Sequence, residues 1–122
     1  MELLGRVTTG IGTAKMWVKK IEQTFKEKTS MQVFNGTLNI KLDEDYIVKP
    51  DFIIKPAEYD GTENVLVKKC EIFGEIAYIV RAEKNQIGTG DHSLKVIEIV
   101  SNINYREKYN LQDNENIKIK IV

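Results

Sequence analysis

Residues Gly36-Thr37-Leu38-Asn39-Ile40-Lys41-Leu42 alternate with the period of a β-strand. A strand sends successive side chains to opposite faces, so Leu38, Ile40 and Leu42 face a core while Thr37, Asn39 and Lys41 face away from it. That second face carries a hydroxyl, a carboxamide and an ammonium in a row. The first two are hard, neutral oxygen donors of the kind that hold Mg²⁺. They bring no negative charge, so a cation on Thr37 and Asn39 would draw it from the phosphates of a bound nucleotide. The plain alternative is an amphipathic strand with an ordinary polar face.

On either side of this strand the chain is also rich in β signals. Leu3 to Thr9 reads as a strand that ends in the turn Thr9-Gly10-Ile11-Gly12-Thr13-Ala14. A helix follows, because Trp17, Ile21 and Phe25 fall four apart with Ala14 and Val18 beside them, and Thr29 and Ser30 mark its end. Phe52 to Pro56 reads as a short strand or extended edge between two prolines. Residues 64–73 and 76–82 read as a hairpin about Gly74-Glu75, and Lys84 to His92 as a polar loop. Val96 to Val100 is a strand, Ile103 to Tyr109 a short helix, and Ile117, Ile119 and Ile121 alternate with lysines in a last strand. Six or more strands with one main helix, not alternating with helices as a doubly wound sheet requires, predict a mainly β fold: a compact six-stranded barrel.

Composition narrows the function. The 122 residues make one domain, 1–122, large enough to bury a single core. Lys and Arg number 18, and Asp and Glu also number 18, a balance that argues against a general binder of nucleic acid or acidic membrane. Cys70 is the one cysteine, which leaves no intramolecular disulfide and no cysteine-based zinc site; a half-buried structural thiol is expected there. Met1 to Arg6 lacks the apolar region and cleavage site of a signal peptide, and no apolar run reaches transmembrane length. The expected setting is the cytoplasm, with no membrane partner.

Three segments carry candidate chemistry. Gly10-Ile11-Gly12 leads from a strand into a helix, where backbone N–H groups and the helix start form an anion site; a plain tight turn is the alternative. Neither a P-loop nor a Rossmann glycine pattern is present. Thr89-Gly90-Asp91-His92-Ser93 with Glu98 is a loop feeding a strand, able to hold a small molecule through Thr89 and Glu98. Ile103-Asn104-Tyr105-Arg106 offers a guanidinium for phosphate and a ring for stacking on a base, or else an amphipathic turn with Tyr105 half buried.

Taken in order, these pieces resemble the archaeal-type CTP-dependent riboflavin kinases. The likeness rests on Gly5 to Gly12, Asn35 to Leu42, Val96 to Val100 and Tyr105 to Leu111, with Gly-Thr-Leu-Asn the most specific element. It implies a cradle-loop barrel related to the RIFT barrels, with one main helix and a short second one. It also implies transfer of the CTP γ-phosphoryl to the riboflavin 5′-hydroxyl, giving FMN and CDP. By the resemblance, Thr37 and Asn39 hold one Mg²⁺ shared with the nucleotide phosphates. Gly10, Ile11, Gly12, Thr13, Ala14, Lys15 and Met16, with Ile103, Asn104, Tyr105 and Arg106, hold the nucleotide. Thr89 and Glu98 hold the flavin, and no residue is assigned as general base beyond Glu98 as a candidate.

The chain departs from the family pattern in three places, one of them the loop before Glu98, which is shifted by one residue so that Gly90 rather than Thr89 holds the gapless position. Its first turn reads Gly10-Ile11-Gly12-Thr13-Ala14 where the family usually has Gly-x-Gly-Glu-Gly, and Ser101-Asn102 stands for the family's Ala-Pro. The expected partners are riboflavin and CTP, with no nucleic acid, and the expected state is a monomer. Two other readings stand beside the kinase. One is a non-catalytic flavin- or nucleotide-binding module on the same barrel. The other is a swapped-hairpin DNA-binding domain, suggested by the tail from Leu111 to Ile121.

Overall fold

The computed structural model describes residues 1–10, 14–87 and 93–122. The elements run β1 (Glu2–Thr8), α1 (Ala14–Thr29), β2 (Leu38–Leu42), β3 (Phe52–Ile54), α2 (Pro56–Tyr59), β4 (Val65–Ile72), β5 (Glu75–Ala82), α3 (Glu83–Gln86), β6 (Val96–Val100), α4 (Tyr105–Lys108) and β7 (Asn116–Ile121). All pairings are antiparallel, in the order β3-β4-β5-β6-β2-β1-β7. A further pairing of β4 with β7, Cys70 opposite Ile121, closes six of these strands into a barrel. Closure removes free sheet edges and gives each strand an inner and an outer face.

The mainly β barrel agrees with the expectation, and three details refine it. β3 stands outside the barrel as a seventh strand against the first half of β4. Among the described residues there are three short helices rather than one, because Pro56–Tyr59 and Glu83–Gln86 each close a turn that the sequence presents as loop. Proline at the start of α2 presets its φ, and Asp60 ends it in the left-handed conformation at φ 56°. The β4–β5 turn also differs by one residue. Phe73 (φ 54°) and Gly74 (φ 76°) both take positive φ, the two-residue hairpin geometry that matches strand twist, so Glu75 opens β5.

The inner face holds the main core. Val7, Leu38, Ile40, Ile79, Ile97, Ile99 and Ile119 meet there with Cys70, which is fully buried rather than half-buried. Burial pushes that thiol up to about 12, so it behaves as a small apolar side chain.

A second core lies outside the barrel, where α1 covers β4, β5 and β6. Val18, Ile21 and Phe25, the stripe read from the sequence, sit on Val65, Val67, Val80 and Val100. Phe25 meets the rings of Tyr78 and Phe52 edge-on, at centroid distances of 5.2 and 6.0 Å. The loss of such a ring costs about 3–5 kcal/mol in comparable cores. α1 ends as expected: Ser30 is left-handed at φ 61° and its N–H returns to the Lys26 carbonyl at 2.8 Å. The Thr24 hydroxyl donates to the Glu58 carbonyl at 2.8 Å and ties α1 to α2. Anchored this way, α1 covers only part of the outer face. The part it leaves bare carries the candidate site.

Candidate active site

Register places Thr8, Asn39 and Glu98 side by side on three neighbouring strands: Thr8 is opposite Asn39 on β2, and Asn39 is opposite Glu98 on β6. Partners in an antiparallel pair share a face, with Cβ atoms about 5 Å apart. This row lies on the outer face, since Val7, Ile40, Ile97 and Ile99 on the same strands fill the barrel. Two cavities flank it. Asn39 lines one, of ≈ 430 Å³, with Thr9, Gly10, Phe34, Thr37 and Arg106. Glu98 lines the other, of ≈ 330 Å³, with Trp17, Tyr59, Glu63, Arg81 and Lys84. The Asn39–Glu98 pair is therefore the boundary between two binding spaces.

In the first cavity, Asn39 is only 9% exposed, so its carboxamide needs partners. Its Nδ2 donates to the Thr37 hydroxyl at 3.3 Å, while its Oδ1 is buried with no hydrogen-bond partner among the described residues. Thr37 lies just before β2, and the expectation that it shares a face with Asn39 agrees with this contact. Gly10 presses against the carboxamide: a Cβ there would lie 2.4 Å from Asn39 Nδ2. Only a residue without a side chain lets the turn come this close. A buried oxygen lacking a donor among the described residues, a hydroxyl beside it and Gly10 against the carboxamide fit a small hard cation. Lys41, read as sharing this face, is exposed and lines neither cavity.

Arg106 and Tyr105 are already engaged in ways the sequence does not display. Arg106 Nη2 donates to the Thr8 carbonyl at 3.0 Å and to Asp113 Oδ1 at 2.6 Å, and the Thr9 hydroxyl donates to Asp113 Oδ2 at 2.6 Å. This triangle braces the end of β1, where the glycine turn begins. The Thr9 hydroxyl and then the Arg106 guanidinium hold the Asp113 carboxyl below its usual range. Tyr105 is 3% exposed; its hydroxyl points to the Ile72 and Glu75 carbonyls, and its ring stacks on Tyr109 at 5.9 Å. Its ring is thus mostly packed in the core, and Tyr105 also lines the first cavity beside Arg106. Burial raises its phenol above the ordinary value.

The residue that does offer a ring is Phe34, which is 40% exposed on the cavity wall. Its N–H donates to the Ser101 carbonyl at 2.7 Å. The Ser101 hydroxyl, at one of the departures from the family pattern, accepts from the Ile103 N–H at 3.2 Å and shapes the turn into α4. Ile103 and Asn104 line the same cavity, and Asn104 Oδ1 accepts from the Glu107 N–H at 3.2 Å as the cap of α4.

The second cavity rests on Arg81, which is 4% exposed. Its guanidinium donates to the Tyr46 carbonyl, to Gln86 Oε1 at 2.9 Å, and to the Leu94 and Val96 carbonyls at 3.1 and 3.2 Å. Burial pulls it below the usual guanidinium value, and the four acceptors compensate the desolvation. Arg81 thereby joins α3 to the start of β6 beneath Glu98. A buried arginine depends on carbonyls from distant segments, so no local pattern announces it. Of the sequence candidates, Ile11, Gly12, Thr13 and Thr89 lie outside the described residues. Ala14, Lys15 and Met16 are described as the first backbone turn of α1.

A small antiparallel barrel with a cation-ready cleft on one side of a carboxylate and an aromatic pocket on the other has the parts of a two-substrate phosphotransfer enzyme. The family model CTP-dep_RFKase, described as the domain of unknown function DUF120, matches residues 7–121. The riboflavin kinase of Methanococcus vannielii is 35% identical over 130 residues, covering 98% of this chain and 96% of its own length. A riboflavin kinase of Methanococcus maripaludis is 30% identical, covering 99% of this chain and all of its own. That of Pyrobaculum aerophilum is 29% identical over the whole chain, which spans 61% of that relative's length. The chain belongs to the CTP-dependent riboflavin kinase family.

Proposed function

We propose that the protein phosphorylates riboflavin at its 5′-hydroxyl, with CTP as donor and Mg²⁺ as the required ion, giving FMN and CDP. The observation that carries this reading is the Asn39–Glu98 pair on the boundary of two cavities. Phosphoryl transfer depends on in-line positioning and charge neutralisation more than on a strong base. In this reading the nucleotide lies in the cleft, its phosphates against the backbone at Gly10 and its base toward Phe34. Thr37 and Asn39 hold the ion through neutral oxygens; when bound, it offsets the charge of the β- and γ-phosphates. Riboflavin lies in the aromatic pocket, its ring beside Trp17 and Tyr59. Its ribityl chain reaches Glu98, whose carboxylate orients the terminal hydroxyl toward the cleft. The hydroxyl oxygen attacks the γ-phosphorus, the bond to the β-phosphate oxygen breaks to release CDP, and the hydroxyl proton passes to the Glu98 carboxylate or to water. The family name supports CTP as donor.

The test is to incubate purified protein with riboflavin and Mg²⁺ plus CTP or, separately, ATP, and to read FMN by chromatography. FMN from CTP and little from ATP is the expected result. FMN from ATP alone would overturn the donor assignment. No FMN from folded protein with either donor would leave a binding module on the same barrel.

A further inference from the structure

Two buried side-chain atoms lack a hydrogen-bond partner among the described residues: Asn39 Oδ1, discussed above, and Glu63 Oε1. Glu63 belongs to none of the sequence motifs. It lines the aromatic pocket with Trp17, Tyr59, Lys84 and Glu98. Its other oxygen, Oε2, pairs with Lys84 Nζ at 3.0 Å. Its backbone is held on both sides: the Tyr59 hydroxyl donates to the Glu63 carbonyl at 2.6 Å, and Glu83 N–H donates to the next carbonyl, that of Asn64, at 3.0 Å. The carboxylate is therefore fixed with one oxygen desolvated and unused, an arrangement that a donor from a bound molecule would complete.

The register gives the distance between the pocket's two carboxylates. Glu98 is opposite Val80, Val80 is opposite Val67, and Glu63 lies four residues before Val67. Strands about 4.8 Å apart, with a rise of about 3.3 Å per residue, put the Glu63 and Glu98 α-carbons about 16 Å apart. With a carboxyl group reaching inward from each end, the gap is on the scale of a whole riboflavin molecule. Its ribityl chain leaves the central ring at N10 and carries the 5′-hydroxyl away from the pyrimidine imide, whose N3–H is the one N–H donor of the oxidised isoalloxazine ring.

We propose that Glu63 accepts the hydrogen bond of the flavin N3–H and so selects the imide end of the substrate, far from the reacting hydroxyl. The inference rests on the reading of this pocket as the flavin site. It explains why a desolvated carboxylate stands where no phosphate or metal chemistry is called for. It also fixes the direction of the substrate, with the ring end at Glu63 and the ribityl end at Glu98.

The experiment is a fluorescence titration of riboflavin and of 3-methylriboflavin, which lacks the donor, into wild type, Glu63→Ala and the near-isosteric Glu63→Gln. Wild type should bind the methyl analogue at least about tenfold more weakly, the usual size of a hydrogen bond to a charged group. Glu63→Ala should bind both flavins with nearly equal affinity. Wild type needs no substitution to be informative: equal binding of the two flavins would overturn the proposal while leaving the kinase reading in place. An unchanged methyl penalty in both variants would overturn it too. A wild type that binds neither flavin would remove the flavin-site reading as well.

Discussion

Asn39→Ala should separate stability from activity. The substitution removes one long side-chain hydrogen bond, to Thr37 at 3.3 Å, a loss of about 0.5–1 kcal/mol. It also opens a small void on the cavity wall. Against these, it deletes a buried carbonyl oxygen that has no partner among the described residues, whose desolvation costs about 1–3 kcal/mol. The terms nearly cancel, so stability should change by no more than about 1 kcal/mol in either direction. For a chain of this length that is a melting shift of a few degrees.

Activity behaves differently, because the same oxygen is the proposed ion ligand. FMN formation at saturating Mg²⁺ should fall at least about 100-fold. Thermal unfolding followed by circular dichroism, with FMN formation assayed across a Mg²⁺ series, reads both quantities. Activity within twofold of wild type would refute the ligand role. A melting loss above about 8 °C would show that Asn39 supports the fold and that its bare oxygen is incidental.

Three further outcomes follow from the same geometry. Gly10→Ala puts a Cβ 2.4 Å from Asn39 Nδ2, so the carboxamide must turn away; the Mg²⁺ concentration for half-maximal activity should rise, with a stability loss of about 1–3 kcal/mol at most. Asp113 is held below its ordinary 3.8, so its contribution is complete above that value and is lost as pH falls through the lower folded value. Asp113→Asn should therefore flatten the decline of the melting temperature in that acid range, and an unchanged acid limb would contradict the brace. The Cys70 thiol, raised to about 12 and fully buried, should react with a thiol reagent in native buffer only as fast as the protein unfolds. Rapid labelling of folded protein would show the barrel wall to be open there.

The barrel was legible because two periods are written plainly in the chain. Leu38, Ile40 and Leu42 alternate and all enter the core, while Val18, Ile21 and Phe25 make the helical stripe that covers the outer face. The strand pair that closes it was not legible, because the Cys70–Ile121 pairing joins residues far apart in the chain. Phe73 misled through propensity: an aromatic residue after a β run extends the strand on paper, yet it turns with positive φ.

At the site, Thr37 and Asn39 could be singled out because strand period puts them together. Glu98 joined them only through the pairing of β2 with β6. Tyr105 and Arg106 were visible as a phosphate- and base-binding pair, but the structure gives the ring to the core and ties the guanidinium to Asp113. Phe34, Glu63 and Arg81 escaped notice because each depends on contacts from distant segments, and none sits in a pattern of residue types.

The central claim is spatial: nucleotide and flavin occupy different cavities and meet at the Asn39–Glu98 pair. A crystal structure with CDP, Mg²⁺ and FMN bound tests it most directly. The account expects the pyrophosphate against Gly10, the ion on Thr37 and Asn39, the FMN phosphate between Asn39 and Glu98, and the isoalloxazine ring beside Trp17 and Tyr59. A flavin ring in the cleft with Phe34, or an ion held away from Asn39, would contradict it.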